Sequence, residues 1–89
     1  MESKAPVAPI TPGELRIGSV SAERAADLLG VGSTASVRRF RRDGHLEMDG
    51  ALYTLKSIHE LVEQRVRQAI VPADRLDAFL PLVASEVAA

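Results

Sequence analysis

Ser21-Ala22-Glu23-Arg24-Ala25-Ala26-Asp27-Leu28-Leu29-Gly30-Val31-Gly32-Ser33-Thr34-Ala35-Ser36-Val37-Arg38-Arg39-Phe40-Arg41-Arg42-Asp43-Gly44 reads as two short helices meeting at a tight corner. In the first, from Val20 to Gly30, the Ser21 hydroxyl can accept from free helix amides and Glu23 favours the positive helix start. Gly30 suits the left-handed residue that ends a helix. Ala25, Leu28 and Leu29 recur at the spacing of one helical face and are expected inside. Gly32-Ser33 then serve as turn and cap for a second helix, in which Val37 and Phe40 share a side before the stop at Gly44. Leu29-Gly30-Val31-Gly32 is the corner, and a pair of helices joined this way has the geometry of a helix-turn-helix.

Beyond Gly44 the pattern changes from helical to period two. Leu46-Glu47-Met48 and Ala51-Leu52-Tyr53 flank Asp49-Gly50, a two-residue link of the hairpin type, which predicts Met48 opposite Ala51 and Leu46 opposite Tyr53. From Ser57 to Ile70, the residues Ile58, Leu61, Val62, Val66, Ala69 and Ile70 form a helical stripe, with Glu63 and Arg67 paired four apart outside it. Pro72 ends that helix, and Asp74 to Val83 carries a shorter amphipathic pattern through Leu76, Phe79, Leu80 and Val83, interrupted by Pro81. At the other end, Pro6, Pro9, Pro12 and Gly13 argue against a helix over residues 1–18 and for an extended or disordered arm, with Leu15 and Ile17 able to add an edge strand or dock on the core. The expected fold is therefore mainly α with a small β-hairpin, a winged helix-turn-helix over residues 19–71, with extensions at 1–18 and 72–89.

At 89 residues the chain fits one small domain and leaves no room for a catalytic domain beside a binding one. It has no cysteine and two histidines, His45 and His59, more than ten residues apart, so neither a disulfide nor a zinc site is expected. Residues 1–18 lack the apolar run of a secretory leader, and no stretch is long enough to span a membrane, so a cytoplasmic location is expected. The glycines are helix punctuation and make no phosphate loop. Ser33 and Ser36 have no His or Lys placed to activate them, and Tyr53 is expected to face the core. The expectation is a protein that is not an enzyme, with no cofactor, metal or small-molecule ligand.

The net charge is only -1, yet its distribution is uneven: Ser33 to Arg42 holds four arginines and no acid, and the rest of the chain holds seven basic residues against twelve acidic ones. On a helix, Ala35, Arg38, Arg39 and Arg42 cluster opposite Val37 and Phe40, with Arg41 at the flank. Arginine forks bridge guanine O6 and N7 or hold a phosphate, and small residues at a helix start let the backbone approach a groove. Thr34, Ala35, Arg38 and Arg39 are the candidates for base edges of double-stranded DNA. Ser33, Ser36, Arg41 and Arg42, together with Thr54 and Lys56 at the base of the hairpin, are the candidates for phosphates. The competing reading is a solvated helix face that binds nothing.

The sequences AERAADLLGV, SVRRFRRDGHL and LYTLKSIHEL, in this order, resemble the MerR-like winged helix-turn-helix, and most of all the excisionases, or recombination directionality factors, of phages and integrative conjugative elements. The resemblance covers about Val20 to Leu61 and is carried by Leu29-Gly30-Val31, Asp43-Gly44-His45-Leu46 and Tyr53. It implies an accessory protein that lines up on DNA at attachment sites, bends it and helps an integrase excise the element. A small MerR-like transcription regulator is the alternative within the class, and a protein interaction module using the arginine face is the alternative outside it. Two departures stand out. The stretch from Val31 to Gly44 is one residue longer than usual, which leaves the start of the second helix open. The wing, Glu47-Met48-Asp49-Gly50, is acidic where relatives place Arg or Lys, and so is repelled by phosphates within a Debye length of about 8 to 10 Å.

With few contacts per protomer, non-specific affinity is expected at about 10⁻⁴ to 10⁻⁶ M, so occupancy of a site calls for cooperation between copies. The apolar extensions, Val7 to Ile17 and Leu76, Phe79, Leu80 and Val83, either join neighbouring protomers along DNA or fold back on their own core.

Overall fold

The computed structural model describes residues 8–88, with side chains to Ser85; the part of the expected arm before Ala8 lies outside the described residues. Helices dominate, and the only sheet among the described residues is three-stranded and antiparallel.

Helix α1 (Pro12–Ile17) occupies part of the segment expected to be an arm. Thr11 and Glu14 form a reciprocal cap, each side chain bonded to the other's backbone N–H, at 3.1 and 2.9 Å. Pro12 stands at the first helical position, where its missing N–H has no helical partner to lose. Pro12 therefore starts this helix instead of preventing it. Strand β1 (Ser19–Val20) follows, so Val20 is a strand residue and not the head of the next helix.

Helix α2 (Ala22–Leu29) is capped by Ser21 and buries Ala25, Ala26, Leu28 and Leu29. Its end is a Schellman turn: Gly30, at φ 79°, donates to Asp27, and Val31 donates to Ala26. Helix α3 (Thr34–Arg42) begins after Ser33, whose extended backbone makes it the cap residue although its hydroxyl makes no capping bond. Val37 is fully buried and Phe40 half-buried. A second Schellman turn closes α3 through Gly44, φ 87°, with His45 N–H donating to the Phe40 carbonyl at 2.9 Å. The His45 ring meets the Phe40 ring edge-on at 6.3 Å, the side-chain contact that such an ending favours.

Strands β2 (Met48–Asp49) and β3 (Leu52–Thr54) form the hairpin, and β3 lies at the centre of the sheet with β1 on its other edge. The turn lies one residue further on than expected and the pairing is shifted by two: Met48 faces Tyr53 and not Ala51, and Asp49 faces Leu52, so the link is Gly50-Ala51. Gly50 takes positive φ, 66°, as the first central residue, which spares Asp49 the left-handed conformation that an Asp-Gly link would impose. Ala51 sits exposed in the turn instead of opposite Met48.

Helix α4 (Leu55–Arg67) starts directly from β3, capped by Thr54, and buries Leu55, Ile58, Leu61 and Val62. The buried Ser57 hydroxyl donates to the Thr54 carbonyl and accepts from Glu47 N–H at 3.1 Å, tying the hairpin to the helix. The helix stops three residues earlier than the stripe suggested: Ala69 adopts φ 61° and Ile70 N–H donates back to Arg65. Ile70 is consequently 54% exposed and outside the core. No Glu63–Arg67 ion pair occurs among the described residues; Glu63 lies 3.6 Å from His59 instead.

Both extensions fold back. Ile10 is buried and its N–H donates to the Ala78 carbonyl at 3.0 Å, joining the two ends of the described chain. Arg24 holds the incoming strand through Glu14 (2.8 and 3.2 Å) and the carbonyls of Ala8 and Pro9. Leu15 packs on the core and Ile17 is 65% exposed. After Pro72 comes a 3₁₀ helix (Ala73–Phe79) that buries Ala78 and Phe79, the latter stacked on His59 at 5.0 Å. Helix α5 (Leu80–Ala88) completes the chain, with Pro81 in its first turn.

Candidate nucleic-acid interface

Helix α3 owes its direction to two contacts with the body, Val37 sunk into the core and Phe40 half-covered beside it. Everything else on the helix follows from the period. At about 100° per residue, Ala35, Arg38 and Arg42 fall within about 60° of one another on the far side, with Arg39 and Arg41 on either flank. All four arginines and Ala35 are exposed, as is Ser33, and Thr34 and Ser36 are half-buried.

The electrostatic setting of these arginines is defined by what does not meet them. Among the described residues the ion pairs are Arg24–Glu14 and His59–Glu63, and neither involves α3. None of Arg38, Arg39, Arg41 or Arg42 makes a side-chain hydrogen bond to any described residue. Arg38 and Arg42 are four apart, and Arg38–Arg41 and Arg39–Arg42 are three apart, so like charges face one another along two turns. Each such pair costs a helix about 0.2 to 0.5 kcal/mol, or about 1 kcal/mol for the three. The helix C-terminus offsets part of this, because Arg39, Arg41 and Arg42 lie in the last turn. The arrangement can do one thing chemically: present several planar donor forks to an external anion.

The other residues singled out from the sequence fare differently. Lys56 is exposed on the first turn of α4. Thr54 is not free for a phosphate, because its hydroxyl is engaged with Ser57 at 2.8 Å and caps α4. At the hairpin tip Glu47, Asp49 and Gly50 are exposed, and Met48 packs half-buried against the core. Among the proposed oligomer contacts, Phe79 is fully buried and offers no surface to a partner, and Leu76 packs half-buried on the core of its own chain. The reason is size: a small core needs its few large side chains, and Phe79 covers α4 through His59. Val83 is half-buried, and Leu80 remains 59% exposed.

Three arginines outside the run make contacts across the fold, two of them beside α3. Arg24 fixes the first extension as described above. Arg75 donates to the Asp27 carbonyl at 3.0 Å and lays its guanidinium against Gly30, at the corner between α2 and α3. Arg65 places its guanidinium carbon 5.2 Å from the centre of the Phe40 ring. Local pattern offers no signal for these three, since the partners lie 10, 48 and 25 positions away in sequence.

The Glu14 carboxyl is held below its ordinary range, chiefly by the Arg24 hydrogen bond and against a smaller upward push from burial. Among the described residues no cluster of three or more His, Cys, Asp or Glu is placed to hold a metal ion, and no helix is long and apolar enough to cross a membrane. No protein-family model, no curated protein and no solved structure matches the chain.

Proposed function

We propose that this chain is a sequence-specific DNA-binding protein of the winged helix-turn-helix class, with α3 as the helix that enters the major groove. The reading is carried by four exposed guanidinium groups on two turns of α3, none answered by a carboxylate of the described chain. A helix that bears repulsion of about 1 kcal/mol, offset only in part by its own C-terminus and by no carboxylate, is suited to an anionic ligand. The dimensions agree: nine residues give a helix about 14 Å long and 10 to 12 Å across, and the major groove is about 12 Å wide.

In this reading Thr34, Ala35, Arg38 and Arg39 meet base edges, and Ser33, Ser36, Arg41, Arg42 and Lys56 meet phosphates. The acidic hairpin stays back from the backbone and adds little affinity. The biological role we infer is that of an excisionase or recombination directionality factor, binding in several copies along attachment-site DNA in the nucleoid, bending it and cooperating with an integrase. With Phe79 committed to the core, Ile17, Ile70 and Leu80 are the exposed large apolar side chains available to touch a neighbouring copy.

A footprint of the full chain on DNA around an integrase gene and its attachment sites tests this role. Repeated protected sites at regular spacing support it. A lone protected site over a promoter favours the small transcription regulator instead, and protection nowhere favours a protein partner for the arginine face.

A further inference from the structure

We propose that the phosphate-binding surface continues from α3 onto the last turn of α4, where Arg65 is seated on Phe40 to take a backbone phosphate of bound DNA. The proposal rests on the DNA-binding reading of α3 and adds to it a residue from a different helix.

Three arginines among the described residues are half-buried: Arg24, Arg65 and Arg75. Two of them are answered by the protein. Arg24 is met by a carboxylate and two carbonyls, and Arg75 by the Asp27 carbonyl through a terminal amino group, although its Nε is also buried without an acceptor. Arg65 makes no hydrogen bond and no ion pair with any described residue, and its Nε is sealed from solvent without an acceptor. Its one specific contact is the face of Phe40, with the guanidinium carbon 5.2 Å from the ring centre. That contact is a cation–π seat, which holds the planar group in place while its terminal amino groups make no hydrogen bond to any described residue.

Phe40 points about 100° away from its chain neighbours Arg39 and Arg41 and about 160° from Arg38 and Arg42, so the seat puts a fifth guanidinium on the body side of α3, where α4 meets it, and not among the four. A guanidinium fixed before binding loses less freedom when it meets its acceptor than one on a free surface side chain. An arginine on a helix flanking the recognition helix suits a phosphate contact better than a base contact, because such contacts set the angle at which the recognition helix enters the groove.

The test is the salt dependence of affinity of the full chain for one duplex, plotted as log affinity against log salt. Each phosphate contact contributes about 0.9 to that slope. Arg65→Gln is expected to flatten the slope by about one and to weaken binding roughly three- to tenfold at low salt. Arg67→Gln removes an exposed charge about 200° further round the same helix and is expected to change the slope by less than half as much. Thermal melting run in parallel separates binding from folding.

An unchanged slope for Arg65→Gln, whatever its melting temperature, makes Arg65 a lid on Phe40 alone and overturns the proposal. Equal flattening by Arg65→Gln and Arg67→Gln points to diffuse charge and overturns it as well. If Arg42→Gln also leaves the slope unchanged, the fault lies in the DNA-binding reading itself. Phe40→Leu keeps an apolar side chain but removes the ring, so adding Arg65→Gln on that background should cost little further affinity; additive losses refute the seat.

Discussion

Replacing Phe79 by Ala tests whether the C-terminal segment is part of this domain or an appendage. The side chain is fully buried and stacked on His59 at 5.0 Å. A phenylalanine buries about 150 to 200 Å², which at about 25 cal/mol per Å² corresponds to about 4 to 5 kcal/mol as an upper bound. The methyl group that remains retains part of this, while the cavity left behind adds to the loss, and measured Phe to Ala changes in cores cost about 3 to 5 kcal/mol. A domain of this length has a total stability of about 4 to 13 kcal/mol. The variant should therefore lose a large share of its stability and melt roughly 12 to 30 °C lower. Urea unfolding followed by circular dichroism gives the number directly, with Leu80→Ala as the control, because that side chain is 59% exposed and should cost under about 0.5 kcal/mol. A Phe79→Ala loss below about 1 kcal/mol would refute the docked position of the 3₁₀ helix. The same reasoning predicts that a chain ending at Val71 fails to fold stably.

Gly30→Ala should destabilise by about 2 kcal/mol, because φ 79° costs a side chain about 1 kcal/mol and the new Cβ would lie 2.9 Å from Arg75 Nε; Gly44→Ala, with similar φ but open space, should cost about half as much. Ala69→Gly should stabilise by up to about 1 kcal/mol, since Ala69 holds φ 61° at the end of α4, and a lower melting temperature would contradict the left-handed ending. Glu14→Gln should lose about 1 kcal/mol near neutral pH, discounted for the partial exposure of the pair. The folded-state pKa of Glu14 is depressed, so the wild-type contribution is present above its unfolded value and is lost as pH falls through the folded one. The two proteins should therefore converge in stability in acid, and a gap that persists at pH 2 would contradict the Arg24 contact.

Helices α2 and α3 were legible in sequence because local signals coincide there: Ser21 and Gly30 bound one helix, Gly44 stops the other, and Val37 and Phe40 lie at core spacing. The hairpin was legible as an element but not in register, because Asp49-Gly50 and Gly50-Ala51 are both two-residue links and only the backbone angle at Gly50 separates them. Helix α1 was misread from proline count alone. Pro12 is destructive inside a helix and harmless at its first position, and the Thr11 to Glu14 capping box beside it was the available signal. The extensions were ambiguous in sequence because apolar side chains do not state whose core they fill. In the fold, Ile10 and Phe79 fill the chain's own core, held there beside the long-range contacts Ile10 to Ala78 and Arg75 to Asp27. On the arginine face, periodicity was enough to predict exposure; a tertiary contact revealed Arg65 on Phe40, and the local cap between Thr54 and Ser57, three apart in sequence, withdrew Thr54 from the phosphate contacts.

The central claim is that the arginines of α3 serve an external polyanion and not the fold. The most direct measurement pairs duplex-DNA affinity with melting temperature for the double variant Arg38→Gln/Arg42→Gln. The expected slope of log affinity against log salt is flatter by about one, from the lost Arg42 phosphate contact, with relaxed base preference from the loss of Arg38 and, because all three like-charge pairs are removed, a melting temperature equal to or slightly above that of the unmodified chain. Unaltered DNA affinity with a melting temperature several degrees lower would contradict it.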